Sequence, residues 1–268
     1  MAVQIFEGTG SHIYVYDIAR RTLSKVTFDG AVNGAPAWSP DGRRVAFFSD
    51  RAGKSLNIVT TRSDGGGETE SITANSYINV PTSFSRDGNL LAAMEQGREA
   101  NGSYGMDIMI WSLKDKKATP FLATRAAEMF GRFSADGRWL VYQSDESGKP
   151  EVYVRPFPGP GGKWMVSSGG GGNPTWTKGG REIVYASGGA SDEFYAVDIT
   201  VTGDTIAAGT PVKLFSAAVA HPPNAWWHDV SADGSRFVVL KVDNTGQAAG
   251  HTHVRMVTNI LQRIRRSE

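Results

Sequence analysis

A tetrapeptide closing on glycine recurs through this chain at nearly even intervals: Ser39-Pro40-Asp41-Gly42, Ser85-Arg86-Asp87-Gly88, Ser134-Ala135-Asp136-Gly137, Thr177-Lys178-Gly179-Gly180 and Ser231-Ala232-Asp233-Gly234. The closing glycines at 42, 88, 137, 180 and 234 stand 46, 49, 43 and 54 residues apart. Asp-Gly between apolar stretches is a hairpin signal, because glycine supplies positive φ and aspartate tolerates the turn. Four residues before each closing glycine come Trp38, Phe84, Phe133, Trp176 and Val230, in register without a gap. A period of this length marks supersecondary units that bury their apolar faces only against neighbours.

Each unit reads as four short strands. After the first anchor come Val45–Phe48, Leu56–Val59 and Glu70–Thr73. The later units repeat this with Leu90–Met94, Asp107–Trp111 and Pro120–Leu122, then Trp139–Gln143, Val152–Arg155 and Trp164–Ser167, then Ile183–Ala186, Phe194–Ile199 and Val212–Phe215. Alternating apolar positions between Gly, Pro, Asn and Asp are strand signals, and no amphipathic helical stretch competes before the last few residues. Four antiparallel strands per unit is the arithmetic of a propeller blade. The expected fold is all-β, a six-bladed β-propeller of four-stranded antiparallel blades, with five blades the lesser alternative. Three strand-like pieces precede the first anchor and two follow the last, so the sum is five anchored blades plus one lacking its anchor strand. A single propeller domain over 1–262 and a basic tail at 263–268 follow. Incomplete terminal blades leave open edges, which invites self-association through them.

Composition narrows the function classes. Net charge is +1, from 28 Lys+Arg against 27 Asp+Glu, so no global field gathers nucleic acid or an anionic membrane. Cysteine is absent, which removes disulfides, thiolate ligands and Cys nucleophiles and leaves the redox compartment open. No apolar run is long enough for membrane insertion. The opening Met1–Phe6 lacks a signal peptide's basic and long apolar regions and reads as the middle of a strand, as in a fragment of a longer chain.

The anchors, together with Trp139-Leu140-Val141-Tyr142-Gln143-Ser144-Asp145 and Glu151-Val152-Tyr153-Val154-Arg155-Pro156-Phe157-Pro158-Gly159, resemble the TolB-like, WD-repeat-like bacterial propellers, notably those C-terminal to serine/threonine protein kinases. Tyr14–Asp17 and Val257–Ile260 fit the same group, and the fourth anchor departs from it, with Lys178-Gly179 in place of Pro-Asp. The resemblance implies an extracytoplasmic, periplasmic sensor or interaction module. Related propellers also precede the catalytic domain of prolyl-oligopeptidase-like peptidases, but no serine here has glycine at both −2 and +2.

The search for chemistry gives few motifs. Gly53-Lys54-Ser55 ends like a phosphate loop, yet Phe48 stands where its first glycine belongs. His251 and His253 share a strand face, with His221 and His228 nearby in sequence, a spacing that would suit a metal site; exposed or core-lining histidines are the simpler reading, with packing favoured for His228. The repeat register is more informative. Nine residues before each closing glycine lie Asn33, Asn79, Glu128, Gly171 and Ala225, where the chain leads into the innermost strand, with Asn173 and Asn224 close by. Side chains repeating there converge on the tunnel mouth. Oxygen ligands so placed suit Ca²⁺, held by Asn33, Asn79 and Glu128, or a polar ligand. The plainer reading is that they satisfy turn backbone. Adjacent Trp226 and Trp227 cannot both enter one core from a strand, so one ring is expected at the surface as a binding platform.

Two functions follow. The first is a non-catalytic binding or sensor propeller that takes a protein, peptide or small polar ligand through Asn33, Asn79, Glu128, Asn173, Asn224 and Trp227. The second is a hydrolase or lyase at the tunnel mouth, using Glu128, Arg132 and His228, the last as general base.

Overall fold

The computed structural model describes residues 1–53, 55–98, 104–188, 192–219, 228–241 and 253–258, with the backbone alone for Arg98, Tyr104, Lys241 and 253–258. Every regular element among these residues is a β-strand, and the chain divides into two compact units, Met1–Phe133 and Ser134–Glu268.

The first unit holds three antiparallel sheets. One is β1 (Ala2–Glu7), β2 (Gly10–Asp17) and β3 (Thr22–Lys25); the next is β4 (Asn33–Trp38), β5 (Arg44–Ser49), β6 (Asn57–Arg62) and β7 (Glu70–Ser71). The third is β8 (Ile78–Phe84), β9 (Leu90–Arg98), β10 (Tyr104–Ser112) and β11 (Lys117–Leu122), and β12 (Glu128–Phe133) lies against β8. The second unit holds β13 (Trp139–Ser144), β14 (Glu151–Pro156) and β15 (Trp164–Met165) in one sheet. A further sheet comprises β16 (Gly172–Thr177), β17 (Glu182–Ser187), β18 (Asp192–Thr202), β19 (Thr205–Ala208) and β20 (Val212–Ala217). The last comprises β21 (His228–Val230), β22 (Arg236–Lys241) and β23 (His253–Thr258). The sheets follow chain order, as the repeat predicts, except that β19 and β20 both pair with β18.

The recurring tetrapeptide builds one turn four times. Ser39, Ser85, Ser134 and Ser231 each donate Oγ–H to the aspartate two residues on, at 2.5–2.6 Å. The same Oγ accepts the backbone N–H of the residue five positions on, and the closing glycine N–H returns to the serine carbonyl at 2.8–2.9 Å. Serine, aspartate and glycine thus each perform a separate task.

The fourth anchor keeps the turn by other means. Gly180 N–H still reaches Thr177 O at 3.0 Å, but Lys178 and Gly179 take φ of 50° and 68°. Positive φ at both central residues is what a type I′ turn requires. The missing aspartate is replaced from across the hairpin: Glu182 accepts Thr177 Oγ–H at 2.7 Å and pairs with Lys178.

A bulge bends the first strand of the sheets. Pairing slips between Gly34 and Ala37, Pro81 and Ser83, and Gly172 and Thr175. Ala35, Phe130 and Asn173 take φ of 50–57° at one repeat position, seven residues before the closing glycine. Beneath two of these bulges a glutamine plugs the gap. Gln4 Oε1 accepts Ala35 N–H at 3.4 Å, and Gln143 Oε1 accepts Asn173 N–H at 3.2 Å. A Cβ on Gly172 would sit 2.2 Å from Gln143 Oε1, so any side chain there forces the Gln143 carboxamide to move.

The anchor aromatics do the packing their register predicts. Trp38 covers Ile13, Val45 and Val59, joining two consecutive sheets, and Phe84 covers Ile58, Ile72 and Leu91 across the next pair. In the second unit Trp139 packs with Val141, Val154, Ile183 and Val197, its ring edge-on to Trp164 at 5.6 Å.

Candidate functional site

Asn33, Asn79 and Glu128 stand at or next to the starts of β4, β8 and β12, all in the first unit. Asn33 and Asn79 are completely buried. The Asn33 amide nitrogen faces three carbonyls, Ser11 O and Asp29 O at 3.2 Å and Gly30 O at 3.4 Å. Asn79 Nδ2 donates to Asn75 Oδ1 at 2.6 Å and Tyr77 O at 3.2 Å. Glu128 accepts Thr124 Oγ–H at 2.5 Å, and its other oxygen accepts Thr124 N–H at 3.4 Å. All three therefore tie down the loop that leads into their own strand. Asn33 Oδ1 and Asn79 Oδ1, by contrast, are buried with no hydrogen-bond partner among the described residues.

The loops so held present aromatic rings. Phe28, between β3 and β4, is 71% exposed, and Tyr77, between β7 and β8, is 41% exposed. Phe6, at the β1–β2 turn, is also exposed, and that turn adjoins the Phe28 loop through Ser11 N–H to Ala31 O at 2.8 Å. Exposed large rings on a fixed backbone are what recognition surfaces use, because little side-chain entropy is lost on contact.

Behind Tyr77 runs a polar network that sequence reasoning misses. Asn57 Oδ1 accepts from Thr73 Oγ and Asn75 N, and Asn75 Nδ2 donates to Glu95 at 3.2 Å. Glu95 stands opposite both Asn79 and Asp107 in the ladders. Burial holds its carboxyl above the usual carboxylate range; the Asn75 hydrogen bond opposes this and the Asp107 charge adds to it. Glu95 becomes a neighbour of Asn79 only through strand pairing, which spacing along the chain does not reveal.

The remaining candidates are placed as follows. Arg132 lies on β12, half-buried. Asn173 is a bulge residue, equivalent to Ala35 and Phe130 rather than to Asn33, and its buried carboxamide has no hydrogen-bond partner among the described residues. His228 opens β21, buried, its ring edge-on to Phe194 with centroids 5.0 Å apart. Asn224, Trp226, Trp227, His221 and His251 lie outside the described residues, and the His253 side chain is not described. For Ca²⁺, which gathers six to eight oxygens, the first unit offers the two unpartnered amide oxygens, enclosed, and a Glu128 carboxylate already bonded to Thr124. Among the described residues no three His, Asp or Glu side chains group as a metal site.

Residues 1–106 match the family model described as the TolB beta propeller domain. A putative TolB from Agrobacterium tumefaciens matches with TM-score 0.68 at 18% identity, over 81% of this chain and 81% of that chain. TolB from Acinetobacter baumannii gives TM-score 0.68 at 18% identity, over 97% of this chain and 61% of that one. The fold is a TolB-like β-propeller. The same propeller fold matches an oligogalacturonate lyase in complex with manganese, with TM-score 0.62 at 14% identity over 94% of this chain and 69% of that chain. By sequence, the propeller is 26% identical over 189 residues to the uncharacterized peptidase YuxL of Bacillus subtilis (strain 168), over 54% of this chain. It spans only 27% of that protein's length. At these identities the solved structures speak for the fold alone.

Proposed function

We propose that this TolB-like propeller is a non-catalytic binding module that takes a protein, peptide or small polar ligand on the first unit's loop end. The observation that carries this reading is the pairing of exposed Phe28 and Tyr77 with the buried Asn33 and Asn79 that fix their loops. Rigid presentation lowers the entropy lost on binding. The two side chains that an acid–base reaction would draw on are engaged elsewhere, Glu128 with Thr124 and His228 against Phe194. We also place the protein outside the cytoplasm, on its likeness to TolB; a fusion to alkaline phosphatase that stays inactive in cells would contradict this.

A metabolite and peptide panel read by thermal shift tests the main reading. Hits should lose about ten-fold or more in affinity on the Phe28→Ala/Tyr77→Ala double variant, the effect of removing one hot-spot contact. Calcium belongs in the same panel, titrated calorimetrically against the wild type and Asn79→Ala/Glu128→Ala. Turnover of an ester or lactone by the wild type that Glu128→Gln abolishes would replace the binding reading with a hydrolytic or lyase one.

A further inference from the structure

The far end of the first unit's sheets, where β4 and β8 run into their Asp-Gly turns, forms a half-open cavity of about 570 Å³. The turns Ser39–Gly42 and Ser85–Gly88 contribute to its walls, and Ile72, Phe84 and Leu113 give it an apolar lining continuous with the core around Trp111. Its size lies within the usual range for ligand sites.

The charges around it are unequally committed. Asp41 accepts from Ser39 Oγ and Arg43 N, Asp87 accepts from Ser85 Oγ and both nitrogens of Asn89, and Glu70 pairs with Arg44 at 3.0 Å. Asp41 and Asp87 are held below the usual carboxylate range, foremost by the serine hydroxyls, so both stay ionised and occupied. Arg86 and Lys116 also line the cavity, both exposed, and neither has an ion pair or side-chain hydrogen bond among the described residues. Arg86 and Lys116 are thus the lining charges not already engaged, in a lining that also carries Asp41, Asp87 and Glu70. A third feature is backbone. The strand β7 has only two residues, Glu70 and Ser71, and its outer edge pairs with no other strand among the described residues.

We infer that this cavity binds an extended peptide segment with an acidic and an apolar side chain. The apolar group would rest on Ile72, Phe84 and Leu113, the carboxylate would meet Arg86 and Lys116, and the peptide backbone would use the open edge of β7. The open edge favours a peptide over a free fatty or aromatic acid, which would leave those backbone groups unused. This site is separate from the loop end of the proposed function and stands or falls independently of it.

Selection of a random octapeptide display library on the full chain tests the inference. Enriched peptides should carry Asp or Glu within a few residues of Leu, Ile or Phe. Synthetic copies should lose at least about ten-fold in affinity on Arg86→Glu/Lys116→Glu, as expected when charge-assisted contacts turn repulsive. Arg20→Glu, which reverses an exposed charge on the β2–β3 turn, should leave affinity unchanged. Leu113→Gln should weaken the same peptides several-fold. Melting curves of each variant check that the fold survives, and Arg86→Gln/Lys116→Gln replaces the reversed pair if it does not. The inference fails if no peptide is enriched, if enriched peptides lack acidic residues, or if they bind the charge-reversed chain as well as the wild type.

Discussion

Asn33→Ala and Asn33→Asp probe the same buried point with opposite chemistry. In the native chain Nδ2 faces Ser11 O, Asp29 O and Gly30 O at 3.2, 3.2 and 3.4 Å. Two N–H protons make two good bonds, each contributing about 1 kcal/mol net. Alanine loses both, but it also removes Oδ1, a buried acceptor without a partner. The expected loss is therefore about 1–2 kcal/mol, a fall in Tm of about 2–8 °C for a chain of this size. Aspartate keeps the volume and turns a charged oxygen toward the same three carbonyls, in a site with no solvent exposure. Desolvation and repulsion raise its pKa, and a rise of about three units makes it about 4 kcal/mol worse than asparagine at neutral pH. The sign follows from linkage. The folded pKa lies above the unfolded one, so the deficit is small below the unfolded value and grows as pH rises through the folded value. Urea unfolding followed by tryptophan fluorescence, at about pH 4 and about pH 7, measures both effects. An aspartate variant as stable as the wild type at neutral pH, or an alanine variant with no loss, would refute the loop-anchoring role.

Three further outcomes follow from the same structure. Gly172→Ala should destabilise the second unit by about 1–3 kcal/mol through the clash with Gln143 Oε1 at 2.2 Å, and Gln143→Ala in the same chain should restore part of the loss, read by thermal denaturation. A double-mutant cycle of Thr177→Val and Glu182→Ala should show a coupling of about 1–3 kcal/mol, since the 2.7 Å bond replaces the aspartate of the other turns; coupling near zero would mean that the turn holds by backbone alone. Glu95→Gln should raise stability at neutral pH and flatten the loss of stability as pH climbs through the raised folded pKa of Glu95, followed by urea titration across that window.

The strand content and the repeat are legible because each turn residue has a local task. The Ser-x-Asp-Gly hydrogen bonds lie within five residues, so the code for the turn is written where the turn forms. Thr177–Gly180 is harder to read, because the replacement carboxylate, Glu182, sits on the following strand rather than in the tetrapeptide. At the loop end, register locates Asn33, Asn79 and Glu128 at the starts of their strands. The plainer reading, that they satisfy turn backbone, is what Asn33 and Asn79 do, but register alone does not choose it over ligand binding, because side-chain direction depends on loop closure. Asn173 is drawn toward this group by proximity in sequence, although its position matches Ala35 and Phe130. Glu95 and Asp107 join the network through ladder pairing with Asn79 and each other, which requires the strand register and not a motif.

Repetition itself separates scaffold from function in this chain. Tyr14 donates to Glu7, which pairs with Lys25, and Lys25 stands directly across the ladder from Tyr14. Met alone, that cluster of acid, base and phenol would pass for reactive machinery, with Glu7 held below its usual range foremost by Lys25. The same trio recurs as Tyr195, Glu193 and Lys213, again with Tyr and Lys opposite each other. It recurs in altered form where Lys163 lies 5.2 Å over the Tyr153 ring and pairs with Glu146. Chemistry that is copied from sheet to sheet serves what every sheet needs, here the fastening of neighbouring strands at an exposed edge. Recognition of one ligand, by contrast, requires groups that do not repeat. Phe28 and Tyr77, at one end of the first unit, are exposed and have no aromatic counterpart at the matching positions of the other repeats. A substitution scan should therefore divide along that line: changes to repeated groups lower stability, and changes to these two rings lower binding while the melting curve stays in place.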